Sequence, residues 1–303
     1  MKHPNYLWGI DLGGTKIECA ILSAEDPSIV IARKRIPTEA SKGYEHILQR
    51  IHHLVELVKT ESGIQPHRIG FGTPGALEPS TQTMKNCNTT SLNGRALKAD
   101  LENILGVPVA IANDANCFAL AETLLGAVPE VNKHAEIVFG IIMGTGVGGG
   151  VVINGKVLNG RQGIAGEWGH NFLDISGGPC YCGKTGCVET ILSGPALQNF
   201  YFSISKQQLS LPEIMQRYQE GKDVAAVATV ERLIKMFGKA LANVINIIDP
   251  DVIILGGGVG NIDLLYTKGA EETCKYIFNT NPSVKLVKPL LGDSAGVFGA
   301  ALL

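Results

Sequence analysis

The sequence predicts an α/β fold made of two halves on one plan. Two stretches carry most of that prediction. WGIDLGGTKIECAIL (Trp8–Leu22) and FGIIMGTGVGGGVVI (Phe139–Ile153) each read as an apolar strand, a glycine-rich turn and a second apolar strand. Short strings of glycine and aliphatic residues can match by composition alone, so the third observation decides. DVIILGGG, from Asp251 to Gly258, is again a strand running into glycines, and it follows a helical stretch over Thr229–Ile247.

The elements follow in order. Tyr6–Asp11 and Lys16–Leu22 flank Gly13 and Gly14 as a hairpin-like strand pair. Tyr44–Ser62 places Ile47, Ile51, Leu54, Val55 and Val58 at helical spacing, the pattern of an amphipathic helix. Arg68–Gly72 and Val107–Ala112 are short strands, the second leading into a helix through Asn113 and Asp114. Ile137–Ile153 has no charged residue, but glycines break it, so it reads as two buried strands and not as a membrane span. Gln207–Lys222 is polar with scattered apolar residues, as in a surface helix. Strands alternating with helices give an α/β class. Glycine turns from two halves facing one cleft are the arrangement of an actin-like ATPase, a duplicated ribonuclease-H-like fold. We expect two domains, residues 1–115 with 290–303 and residues 116–289.

Composition removes several functions. The chain has 303 residues, with 26 Lys+Arg against 28 Asp+Glu and a formal net charge of -2. That balance lacks the clustered basic excess with which nucleic acids or acidic membranes are held. At 45% hydrophobic and 18% charged, the chain can bury a core and is not disordered. The N-terminal MKHPNYLWGIDLGG enters a strand with no basic segment and apolar leader, so a cytoplasmic protein is expected. Seven cysteines include three, Cys180, Cys182 and Cys187, within eight positions. In a cytosolic chain that clustering points to metal before disulfide.

The glycine turns suggest phosphate. GIDLGGTK sets Asp11 at a strand end before Gly13, Gly14, Thr15 and Lys16. Backbone N–H groups there can face phosphate oxygens, Thr15 adds a hydroxyl, and Asp11 suits a hydrated Mg2+. The second turn offers Gly144, Thr145 and Gly146, and the third Gly256, Gly257 and Gly258, as cradles for phosphate and adenosine. Neither the G-x-x-x-x-G-K-[ST] loop nor a G-x-G-x-x-G strand-to-helix turn occurs in the required context, which argues against those nucleotide folds.

GIDLGGTK, GFGTPGAL (Gly70–Leu77), NDANCFALAE (Asn113–Glu122), GTGVGGG (Gly144–Gly150), and GEWGH followed by CYCGKTGCVE together resemble the ROK family of sugar kinases over nearly the whole chain. The resemblance implies ATP and Mg2+ as partners of the reaction, a small-molecule sugar as substrate, and a homodimer. ROK proteins are kinases, or repressors with an added DNA-reading segment; the first turn here begins within the opening residues, which favours the kinase branch. The family pattern implies Asp114 as the base that receives the hydroxyl proton and Asn113 as a contact to a neighbouring hydroxyl. Read from the residues alone, the same Asn-Asp pair could equally be a helix N-cap. Glu167, His170 and Glu189 match positions that bond sugar hydroxyls, as do Gly75 in its TPG turn and Asn88. Glu167 could otherwise be a solvated loop acid. Asn116 and Cys117 read as structural, and His52, His53 and His134 as solvated.

C-x-C-x4-C at Cys180, Cys182 and Cys187, with His170 upstream, makes a closed Cys3His set, a structural Zn2+ pattern. Three unligated thiols are the alternative. Many family members carry Gly between the first two cysteines, where this chain has Tyr181. KNCNTTSLNG with PCYCGKTGCVET most resembles fructokinases and mannokinases acting on the 6-hydroxyl, so fructose is the expected substrate. N-acetylglucosamine kinases come next, then glucokinases. A sugar-responsive regulator without turnover is the reading from a different class.

Overall fold

The computed structural model describes residues 5–303. Its strands are β1 (Tyr6–Leu12), β2 (Lys16–Ser23), β3 (Val30–Pro37), β4 (Ile69–Thr73), β5 (Ala76–Leu77), β6 (Met84–Lys85), β7 (Val109–Asn113), β8 (Ile137–Met143), β9 (Val147–Ile153), β10 (Lys156–Val157), β11 (Val252–Gly256) and β12 (Leu286–Val287). The helices are α1 (Tyr44–Ser62), α2 (Leu97–Leu105), α3 (Asp114–Leu124), α4 (Ala127–Val131), α5 (Glu189–Leu192), α6 (Gly194–Ser205), α7 (Leu211–Glu220), α8 (Val224–Ile248), α9 (Lys268–Cys274) and α10 (Ala295–Ala301).

The duplication is visible in the sheets. One runs β3-β2-β1-β4-β7 and the other β10-β9-β8-β11-β12, so each hairpin-first half repeats the same order. In the first, β1 pairs antiparallel with β2 and parallel with β4, and β4 parallel with β7. In the second, β11 pairs parallel with both β8 and β12. This is the actin-like ATPase fold expected above.

Contacts divide the chain into two compact units. The first comprises the chain through Val131, Gly150–Ala165 and Leu290–Leu303; the second comprises Asn132–Gly149 and Gly166–Pro289. The boundary read from the sequence fell after residue 115, whereas α3 packs on α10 and clusters with the first unit. The fully buried Glu122 of α3 accepts hydrogen bonds from the backbone N–H groups of Ala127, Leu290 and Leu291 at 2.8–3.0 Å. A buried carboxylate must be satisfied in this way, and here the bonds fasten the returning C-terminal segment.

In the first unit α1 lays Ile47, Ile51, Leu54, Val55 and Val58 onto a core with Trp8, Ile10, Ile17 and Phe71. The helix stops at Gly63, whose φ of 70° lets its N–H close on the Lys59 carbonyl. On the other face α10 lies directly over β1 and β4. A Cβ on Gly70 would overlap the Ala300 carbonyl, and one on Gly9 would come within 2.8 Å of the Ala301 side chain. Glycine at both positions is what lets the helix approach.

Edge strand β3 went unread in the sequence, because VIARKRIP mixes charge into its alternation. Arg33 and Arg35 reach the carboxylate of Glu18 on β2, which is 1% exposed; the Arg35 Nη2 distance is 2.6 Å. In the second unit α8 buries Leu233, Phe237, Leu241 and Ile245, and β11 is buried throughout. The sequence placed this helix from Thr229; it begins at Val224, where Asp223 caps it by accepting from the N–H groups of Ala225 and Ala226. Among the described residues no helix is long and apolar enough to cross a membrane.

Candidate active site

The first unit assembles Asp11, the first glycine turn, Asn113 and Asp114. The turn after β1 is held by its own backbone, Gly13 N–H to Lys16 O at 3.0 Å, and by a residue the sequence did not single out. Thr38 is fully buried; its hydroxyl donates to the Gly13 carbonyl at 2.7 Å and its N–H to that of Thr15 at 3.0 Å. A threonine just past the end of a strand, 25 residues away, carries no local signal of that task. Gly14 stands beside the Asn88 loop, since a Cβ there would lie 3.4 Å from the Thr89 hydroxyl.

Asp11 lies one residue before the end of β1, in register with Glu18 on β2. Glycines crowd around its carboxylate: a Cβ on Gly296 would come within 2.9 Å of it and one on Gly72 within 3.4 Å. Desolvation first, then the nearby carboxylates of Asp114 and Glu18, push its pKa up to about 6, against the opposing pull of Lys16 and Arg35. Asp114 opens α3. Its Oδ1 accepts the Ala115 N–H at 2.8 Å, and although the side chain reaches solvent, the protein around it raises its pKa by desolvation. Carboxylates that resist ionising side by side are a donor set that a divalent cation relieves, so Asp11 fits Mg2+.

Asn113 is the N-cap of α3, its Oδ1 accepting from Asn116 N–H at 2.8 Å. The capping alternative for this pair therefore holds for Asn113. Cys117 is fully buried, and His52, His53 and His134 are exposed, as read. Gly75 is buried where a Cβ would lie 2.8 Å from the Cys87 Cα, so packing against the Lys85–Cys87 backbone accounts for it. Asn88 is exposed on the neighbouring loop.

The second unit brings the other two glycine turns together. Gly144 N–H donates to Gly146 O at 2.9 Å, and Gly194 N–H to Gly144 O at 2.8 Å. A Cβ on Gly144 would stand 4.0 Å from Gly258 N, while Gly257 has a φ of 83° that side chains rarely adopt. Glu189, the first residue of α5, reaches back to this region: its Oε2 accepts the Val147 N–H at 2.9 Å. A cavity of about 420 Å³ is lined here by Thr145, Ser176, Glu189, Ser193, Asn199 and Arg232. The Arg232 guanidinium covers the Phe200 ring at 4.5 Å and donates to the Ser176 hydroxyl.

Glu167 and His170 bracket a single helical turn, Trp168–His170, anchored by the buried Trp168, whose Nε1 donates to Gly148 O at 3.0 Å. Two bends then return the chain on itself: Gly183 N–H bonds Cys180 O, and Gly183 and Gly186 take φ of 84° and 76°. These bends gather one ligand atom each from His170, Cys180, Cys182 and Cys187 within 4.8 Å of one another. His170 Nδ1 is 3.6 Å from Cys180 Sγ, and Cys182 Sγ 3.6 Å from Cys187 Sγ. A tetrahedral zinc with sulfur and imidazole ligands has edges of roughly 3.5–3.8 Å, so the set fits that ion. Burial and the neighbouring Cys182 thiol push Cys187 up to about 12, whereas hydrogen bonds from the Lys184 N–H and the other two thiols hold Cys182 below its usual value, so Cys187 is the ligand that a bound cation would have to keep ionised.

The profile of the ROK family matches residues 7–303. The chain belongs to the ROK family. It is 37% identical to an N-acetyl-D-glucosamine kinase of Vibrio atlanticus, over 98% of each chain. The ROK hexokinase of Thermus thermophilus superposes with a TM-score of 0.86 at 31% identity, covering 98% of this chain and 97% of that one. A ROK glucokinase from Streptomyces griseus, solved with glucose and AMPPNP, gives 0.76 at 26% identity over 98% of each. The protein is thus an ATP-dependent sugar kinase of the ROK family. The fructokinase and mannokinase branch expected from KNCNTTSLNG and PCYCGKTGCVET gains no support from the curated relatives, which favour the N-acetylglucosamine kinases instead.

Proposed function

We propose that this ROK kinase transfers the γ-phosphate of ATP to the 6-hydroxyl of N-acetylglucosamine. The observation that carries the choice of sugar is the end-to-end similarity to kinases named for it, at 35–37% identity.

Asp114 serves as the base. Desolvation makes its carboxylate a stronger proton acceptor than an ordinary aspartate, while the Ala115 N–H keeps it fixed at the start of α3. As the sugar oxygen bonds to the γ-phosphorus, the bond from that phosphorus to the ADP oxygen breaks and the hydroxyl proton passes to Asp114. Asp11 would hold the Mg2+ that neutralises charge on the transferring group. Backbone N–H groups at Gly13–Lys16 and Gly144–Gly146 cradle phosphate oxygens, and Gly256–Gly258 receives the adenosine. The cavity against Thr145 gives a nucleotide room. Asn113, Glu167, His170 and Glu189 bond the sugar hydroxyls, with Asn88 beside the turn at Gly14. Such a site rejects an analogue that leaves its polar groups unpaired. His170, Cys180, Cys182 and Cys187 would hold zinc, which fixes the loop that presents Glu167 and Glu189. The protein acts as a homodimer in this reading.

Initial rates of ADP release with N-acetylglucosamine, N-acetylmannosamine, fructose, mannose and glucose, with phosphorus NMR of the product, test the assignment. The highest kcat/KM is expected for N-acetylglucosamine, with phosphate on the 6-oxygen. A preference for fructose or mannose would return the protein to the branch that its KNCNTTSLNG and PCYCGKTGCVET segments suggested.

A further inference from the structure

His170 has two ring nitrogens, and each meets a different partner. Nδ1 faces Cys180 Sγ within the four-residue cluster, whereas Nε2 lies 3.0 Å from the Tyr181 hydroxyl. The two rings meet edge to face, with centroids 5.2 Å apart and planes at 89°. When Nδ1 ligates a metal ion, the ring proton must sit on Nε2, so His170 donates and the Tyr181 oxygen accepts. A phenol keeps its own proton at neutral pH, so its oxygen is free to accept. The side chain is nevertheless 75% exposed, held by little besides this hydrogen bond and the ring edge.

A single N–H cannot serve two acceptors well. We propose that Tyr181 is a displaceable cap on the sugar-binding side of His170, accepting the Nε2 proton while no sugar is present and turning out to solvent when a sugar hydroxyl takes that donor. The proposal rests on the reading above that His170 contacts the sugar. Tyr181 then sets affinity by competition, and it acts through His170 without contacting the substrate. Its exposure gives it somewhere to go, since leaving the imidazole uncovers no core.

Tyr181→Phe keeps the ring edge and removes only the competing acceptor. One neutral hydrogen bond corresponds to roughly 2- to 12-fold in affinity, so the variant's Kd and KM for N-acetylglucosamine should fall by a factor in that range, with kcat held. The zinc-loaded full chain, with 15N-labelled histidine, supplies the second readout in the His170 Nε2–H resonance. It should differ between the two free proteins and converge once N-acetylglucosamine is added. A resonance that ignores the sugar in both proteins would show that His170 does not meet it, which removes the underlying reading. A resonance that responds, with a Kd in Tyr181→Phe equal to or weaker than the parent's, would overturn the cap alone. Zinc content lower in the variant would also overturn it, making Tyr181 a support of the metal loop.

Discussion

Asp11 is placed where its own charge is costly. Its pKa of about 6 lies above the 3.8 of an ordinary aspartate, with desolvation as the main cause. A carboxyl raised by folding favours the folded state fully below pH 3.8, and that contribution is lost as pH rises through 6. Asp11→Asn removes the dependence. Without Mg2+ or nucleotide, the variant should be more stable than the parent at pH 7.5 by about 1–2 kcal/mol, with the difference vanishing near pH 4. Urea midpoints at the two pH values check this, and equal stability at pH 7.5 would contradict the strained carboxylate. Turnover should fall, because the strain is the counterpart of a cation site. Asp11 was legible in the sequence from its place before Gly13 and Gly14. Its strain was not, because Gly72, Gly296 and Asp114 reach it from three other parts of the chain.

At the scale of elements, regular patterns were readable and long-range ones were not. Helix α1 matched its apolar spacing at both ends, since its periodicity and its closing Gly63 are local. Strand β3 hid its role, as its arginines are explained only by Glu18 across the ladder. The Cys/His loop is the clearest case of legible chemistry: C-x-C-x4-C and His170 named a candidate ligand set, and the bends at Gly183 and Gly186 bring those four side chains' ligand atoms within 4.8 Å of one another. The pairing of His170 with Tyr181 was not legible, because adjacency to a ligand says nothing of where a phenol points. This loop has few apolar contacts of its own, with Phe172, Ile175 and Tyr181 exposed, so its order should depend on the ion. Cys187→Ser, or removal of zinc by a strong chelator, should lower the melting temperature and raise proteolysis between residues 171 and 187. Purified protein holding far less than one zinc per chain at full stability would refute that dependence.

At the scale of the whole molecule, each half contributes the same hairpin-first sheet and its own glycine turns. The duplication was readable from Trp8–Leu22 and Phe139–Ile153, because strand and turn chemistry repeats in sequence. The choice of sugar was not, since epimers and N-acetylated sugars differ by a few hydrogen bonds whose donors come from loops far apart in the chain. Kinase chemistry, by contrast, requires one base, and a sensor has no use for it. The most direct test is the turnover of Asp114→Asn beside the parent, with sugar affinity measured on both by calorimetry. Loss of the base predicts kcat lower by roughly 100- to 10,000-fold with sugar Kd nearly unchanged. Equal turnover in the variant would contradict the mechanism, and a parent that binds sugar tightly but consumes no ATP would make the protein a sensor.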